Sequence, residues 1–134
     1  MRILLDTHIA LWAIADTSKL SDEVTRLLES RENDIFYSLV SVWEIAIKHQ
    51  INPKHMPIAE EIFVQLCENT GFVKLPVKSG HIFLLKTLVR PEDAPKHKDP
   101  FDRLLLAQAK YEGFKFFTHD SLIPYYEESC IISV

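Results

Sequence analysis

Four acidic residues stand where apolar segments end or are interrupted: Asp6, Glu44, Asp102 and Asp120. Asp6 follows Ile3-Leu4-Leu5, and Asp120 lies two residues beyond Phe114-Lys115-Phe116-Phe117-Thr118. Glu44 interrupts Val42-Trp43-Glu44-Ile45-Ala46-Ile47, and Asp102 falls just inside the segment that Asp99-Pro100 opens. Carboxylates gathered in one place raise one another's pKa and need cations to stay ionised together. Their hard oxygens select Mg2+ or Mn2+. Such ions, ideally paired about 3.5–4 Å apart, acidify water and clamp the oxygens of an in-line phosphoryl displacement. The chemistry expected of such a cluster is phosphodiester hydrolysis without a protein nucleophile.

Each acid also has an ordinary reading. Asp6 can end a strand and cap the next helix. Asp102 falls at the third helical position, where a carboxylate suits the helix dipole, with Asp99 as the cap. Asp99 also competes for the role of Asp102, and the cap reading is favoured for it. Asp120, before Ser121 and Leu122, can be a turn or cap residue. Glu44 is harder to dismiss, because a carboxylate flanked by large apolar groups is either at a seam or in use. No histidine pairs with a Ser or Cys in a triad pattern. His97 reads as a solvated loop residue that is able to touch phosphate. Lys96, Lys98 and Arg103 are candidates for phosphate contacts, with ordinary solvated surface as the alternative. Trp12 and Trp43 read as buried helix anchors rather than stacking surfaces.

The elements that must position these residues follow from the apolar pattern. Strands are expected at 2–5, 35–38, 72–75 and 114–118, with a last edge strand at 131–134. Helices are expected at 8–15, 21–32, from a cap at Ser41 to about Gln50, from about Pro57 to Asn69, at 79–89 and from Pro100 to Glu112. A short helix is expected at 121–128, and 90–98, with Pro91 and Pro95, reads as a loop. Alternating strands and helices imply an α/β fold. The expected form is a three-layer α/β/α sandwich around a central, mostly parallel sheet of four to five strands. In such sheets ligands bind outside the carboxyl ends of the strands, where strand order reverses. Asp6 and Asp120 fall there directly, and Glu44 is expected on the first turn of its helix. Simple crossover logic sends the start of the Asp102 helix to the opposite edge. For Asp102 to join the others, the 89–100 loop must first carry the chain back.

Length and composition set outer bounds. The 134 residues suit one domain, 47% of them are apolar and 25% charged, and a core of that size needs no staples. The net charge of −4 argues mildly against nucleic acid as a partner. The cations are grouped, however: Arg90, Lys96, His97, Lys98 and Arg103 in one stretch, and Lys48, His49, Lys54 and His55 in another. Cys67 and Cys130 belong to no metal-ligand pattern and read as small buried hydrophobes in a reducing compartment. Asp6, Thr7 and His8 interrupt the N-terminal apolar stretch where a secretory signal would be continuous. No run reaches the roughly 18 apolar residues of a membrane span, so a cytoplasmic protein is expected.

Four segments together resemble the motifs of PIN domains, in that family's order. They are Leu4-Leu5-Asp6-Thr7-His8, the stretch from Ser41 to Lys48 around Glu44, the stretch from Asp99 to Ala109, and Phe117-Thr118-His119-Asp120. The resemblance extends over nearly the whole chain, as a single PIN-like nuclease domain over 1–134. It points in particular to the VapC-like toxins of type II toxin–antitoxin systems, whose length the chain shares. It implies an endoribonuclease dependent on Mg2+ or Mn2+, commonly a homodimer, acting on RNA and held inactive by a cognate antitoxin. By motif position Asp6, Glu44 and Asp102 would be the core acids and Asp120 the more variable fourth. Thr7 and Thr118 would support the acids from behind. The family's topology also implies that the Asp102 helix starts at the acidic pocket. His8 departs from the Asn or Ser of many relatives and is not taken as a metal ligand. Two other readings compete. One is a non-catalytic binding module on the same fold. The other is a phosphatase of the haloacid dehalogenase type, which would want a second Asp where this chain has His8.

Overall fold

A computed structural model describes all 134 residues. Five strands form one sheet: β1 (Arg2–Leu5), β2 (Asp34–Ser38), β3 (Val73–Leu75), β4 (Lys115–Thr118) and β5 (Ile131–Ser133). Their order is β3-β2-β1-β4-β5, and every neighbouring pair is parallel. The apolar run of β1 explains its place. A central parallel strand is covered on both faces, and Ile3, Leu4 and Leu5 are fully buried. Successive side chains take opposite faces. Ile3 and Leu5 join a core with Ile9, Ile45, Phe63 and Cys67, whereas Leu4 joins another with Leu105, Leu106 and Ala109. The helices are α1 (Thr7–Ala15), α2 (Asp22–Glu29), α3 (Leu39–Ile51), α4 (Glu60–Thr70), α5 (Ser79–Phe83) and α6 (Pro100–Glu112). This is the expected α/β/α sandwich. No helix is long and apolar enough to cross a membrane.

Several boundaries differ from the sequence reading, each for a local reason. Helix α3 starts at Leu39 because Ser38, the last residue of β2, is itself the cap: its Oγ accepts from the Val40 N–H at 2.9 Å. Ser41, read as the cap, is a buried residue inside the helix. Helix α4 starts at Glu60, after Ala59, rather than near Pro57. Helix α2 closes at Glu29. The segment expected as one helix at 79–89 is α5 followed by a 3-10 turn at Leu84–Thr87. The expected helix at 121–128 is only a 3-10 turn at Ile123–Tyr125, with Pro124 inside it. Helix α6 ends as expected at Gly113, whose φ of +73° is the left-handed geometry that glycine adopts without strain. Cys67 is a core residue as expected, while Cys130 is only half-buried.

The path into α6 corrects the crossover reading. A helix that leads into a parallel strand runs against it, so α6 must start at the carboxyl edge of the sheet. Lys78 and His81, around the start of α5, lie 3.1 Å from Glu112 at the far end of α6. The chain therefore lies beside the last turn of α6 at Lys78. By Leu85 it is alongside the first turn, where its carbonyl accepts from Arg103 Nη2 at 3.1 Å, and the loop 88–99 then delivers it to Asp99. The return expected of residues 89–100 thus begins within the preceding turn.

One buried contact fixes α3 against α6. The Ser38 hydroxyl, besides capping α3, donates to Gln108 Oε1 at 2.5 Å. Gln108 is fully buried, and its amide reaches the Pro76 carbonyl at 3.3 Å. Replacing Ser38 by Ala removes a cap and leaves a buried acceptor unpaired. The expected cost of Ser38→Ala is about 2 kcal/mol. In urea titration it should appear as a lower midpoint with an unchanged slope.

Candidate active site

The strand order reverses around β1, and at its carboxyl end lies a pocket of about 240 Å³. Asp6, Glu44, Asp102 and Asp120 all line it, although they come from four separate stretches of chain. Asp6 caps α1 as its ordinary reading required, with Oδ1 accepting from the Ile9 N–H at 2.9 Å. Its Oδ2 accepts from the Thr118 hydroxyl at 2.5 Å and the His119 N–H at 3.3 Å. Burial pushes the Asp6 carboxyl above its ordinary range, against the pull of these donors.

Glu44 is 3% exposed and stands on the second turn of α3, not the first, because the helix is capped at Ser38, three residues sooner than expected. Its Oε1 accepts from the Thr7 hydroxyl at 2.7 Å. Thr7 has one proton to give, so its contact with Ser41 Oγ at 2.9 Å makes Ser41 the donor there. Oε2 pairs with Lys48, one turn on. Burial alone pulls the Lys48 ammonium down. The Glu44 hydrogen bond and the charges of Glu44, Asp99 and Asp102 outweigh that and raise it. The sequence reading missed Lys48 and Ser41. The i,i+4 spacing of Glu44 and Lys48 was a signal for the first.

Asp102 occupies the third position of α6, and its N–H donates to Asp99 Oδ1 at 3.2 Å. Asp99 is the cap, as expected, but it also lines the pocket. Burial, then the charges of Asp99, Asp120, Glu44 and Asp6, push the Asp102 carboxyl up to about 8. Asp120 keeps its turn role too, with Oδ1 accepting from the Leu122 and Ile123 N–H groups at 2.6 and 3.1 Å. Its own N–H donates to Thr118 Oγ1 at 3.1 Å, so one hydroxyl ties Asp6 to the turn that carries Asp120.

His97 is not the solvated residue expected of a loop. Its side chain is 3% exposed, with Nε2 3.3 Å from Asp102 Oδ2 and Nδ1 2.8 Å from the Tyr126 hydroxyl. Nothing in the local sequence marks this, since the partner Tyr126 comes from another segment. Burial, aided by Arg90 and Arg103, lowers the His97 pKa despite the acids nearby. Lys96 and Lys98 are exposed on the same loop, and Arg103 is half-buried with Nη2 on the Leu85 carbonyl. His8 and Trp12 also line the pocket. Trp12 is half-buried, while Trp43, read as a buried anchor, is 56% exposed and meets Phe101 edge to face.

The donor set fits a hard divalent cation. Four carboxylates and Asp99 line the pocket with a single ammonium, Lys48, among them. Burial first, and then that unbalanced charge, raise the Asp102 carboxyl. Hard divalent cations take oxygen ligands of this kind, one or two carboxylates at a time.

The PIN domain family matches residues 3–127, nearly the whole chain, and the chain belongs to that family. The fold is similar to that of VapBC2 from Rickettsia felis, solved bound to a DNA fragment from its promoter. That likeness has a TM-score of 0.70 and 14% identity, covering 100% of this chain and 99% of the other. No curated protein matches the sequence.

Charge crowding gives a stability test. Native Asp102 holds its proton up to about 8, whereas an ordinary Asp releases it near 3.8. Across that window the folded chain binds more protons than the unfolded one, so stability falls as pH rises. Without metal, Asp102→Asn should therefore melt higher than the parent at about pH 8, with the gain vanishing near pH 4. Calorimetry across the range measures it.

Proposed function

We propose that this chain is a divalent-metal-dependent endoribonuclease, the toxin of a type II toxin–antitoxin pair. The observation that carries the reading is that Asp6, Glu44, Asp102 and Asp120 line one pocket from distant parts of the chain. Membership of the PIN domain family supports it, as does the likeness to VapBC2, whose toxin and antitoxin are paired.

In this reading Asp6, Glu44, Asp102 and Asp120 hold Mg2+ or Mn2+. A bound divalent cation supplies Lewis acidity, making water acidic enough to attack a phosphodiester and offsetting charge that builds on phosphate oxygens. Thr118 and the Ile9 and His119 N–H groups fix the Asp6 carboxylate, so that it need not reorganise when substrate arrives. Thr7, backed by Ser41, fixes Glu44, while Lys48 tempers its charge. Lys96 and Lys98, exposed on the loop that leads to Asp102, contact RNA phosphates, with Arg103 as a further candidate. The partner proposed for control is a cognate antitoxin, and the proposed assembly is a homodimer.

Purified protein is expected to cut RNA in Mn2+ or Mg2+ and to stop in EDTA. Asp6→Asn should lower cleavage at least about 100-fold with the fold retained by circular dichroism. Undiminished cutting by that variant contradicts the assignment. In cells, expression without an antitoxin should arrest growth, and Glu44→Gln should relieve the arrest. Arrest that persists with Glu44→Gln argues against RNA cleavage as its cause.

A further inference from the structure

We propose that His97 is itself a metal ligand, giving one position of the site mixed imidazole and carboxylate character with Asp102 and Asp120. The inference rests on the metal-dependent reading above and adds to it a residue that the four acidic motifs do not contain. One ligand atom each from His97, Asp102 and Asp120 can be chosen so that all lie within 4.8 Å of one another. Two ligands at right angles on an ion, each bonded at about 2.1 Å, stand about 3 Å apart. The 3.3 Å between His97 Nε2 and Asp102 Oδ2 is close to that spacing. It is longer than the roughly 2.7–2.9 Å of a charge-assisted hydrogen bond.

The surroundings of the ring argue in the same direction. A metal-bound histidine has its second ring nitrogen held by a neighbour, which fixes the tautomer and aims the first. Here Nδ1 meets the Tyr126 hydroxyl at 2.8 Å, which turns Nε2 toward the carboxylates. Tyr126 is buried in the core cluster that contains Leu105 and Leu106 of α6, and the Arg90 guanidinium lies 5.1 Å over its ring. A loop side chain is thus positioned by the core of the same helix that carries Asp102. A surface histidine serving only as a counter-ion would need none of this.

Mixed nitrogen and oxygen donation shifts preference from Mg2+ toward Mn2+ and the later metals. The test is pulsed electron paramagnetic resonance on the full chain loaded with Mn2+, with titrations of Mn2+ and Mg2+ alongside. The parent should show coupling to an imidazole nitrogen. His97→Gln should lose it and bind Mn2+ about 10–100-fold more weakly. Its Mg2+ affinity should fall less. The histidines that line the pocket, His8 and His119, are controlled by the variant carrying His8→Gln and His119→Gln, in which the coupling should persist. That variant also serves if His97→Gln fails to fold. Mn2+ bound without nitrogen coupling overturns the proposal, as does coupling that survives His97→Gln or vanishes when His8 and His119 are replaced. A folded parent that binds no Mn2+ at all overturns the metal-dependent reading and the ligand role with it.

Discussion

Acidic side chains gathered at one edge of the sheet are the constraint that this fold has to meet. At 4 Å two like charges near a protein surface repel by about 4 kcal/mol, a large share of a small domain's net stability. The fold nonetheless brings four acids to one pocket and places only Lys48 among them as a permanent cation. The strain shows most clearly at Asp102, whose carboxyl resists ionisation, with burial as the first cause and its acidic neighbours as the second. A divalent ion would remove the repulsion without changing the scaffold. Binding to the native state alone would also stabilise the chain.

The scaffold withstands that repulsion by giving the acids structural work as well. Asp6 caps α1, and Asp120 closes the turn after β4. Asp99 caps α6 and so fixes where Asp102 points. Glu44 has no capping role and is held instead by Thr7, Ser41 and Lys48. Ser38 ties the cap of α3 to the buried Gln108 in the second half of α6. The cap and turn roles of Asp6, Asp99 and Asp120 are therefore real, and they are compatible with the ligand roles proposed for Asp6 and Asp120. A carboxylate whose lone pairs already accept backbone N–H bonds at one edge is a pre-oriented ligand at the other.

That duality explains what could be read from the chain alone. Apolar periodicity placed β1, β2, β4 and α6 within a residue or two, because these elements are buried and their patterns strong. Convergence of the four acids followed from the sheet-edge rule for Asp6 and Asp120, and from the PIN resemblance for Asp102. Starts and ends were less legible where tertiary contacts decide. Ser38 rather than Ser41 caps α3, since β2 runs straight into the helix with no intervening loop. The burial of His97 could not be read locally, because Tyr126 lies 29 residues away and is brought back by the turn after β4. Trp43 looked like core from its apolar neighbours, yet α3 turns it outward beside Phe101.

The most direct measurement is a crystal of the chain soaked in Mn2+ and recorded at a wavelength where manganese scatters anomalously. The account requires a peak in the pocket bounded by Asp6, Glu44, Asp102 and Asp120, within bonding distance of at least two of those carboxylates. Manganese found only on the outer surface, with the pocket empty and all four acids in place, would contradict it.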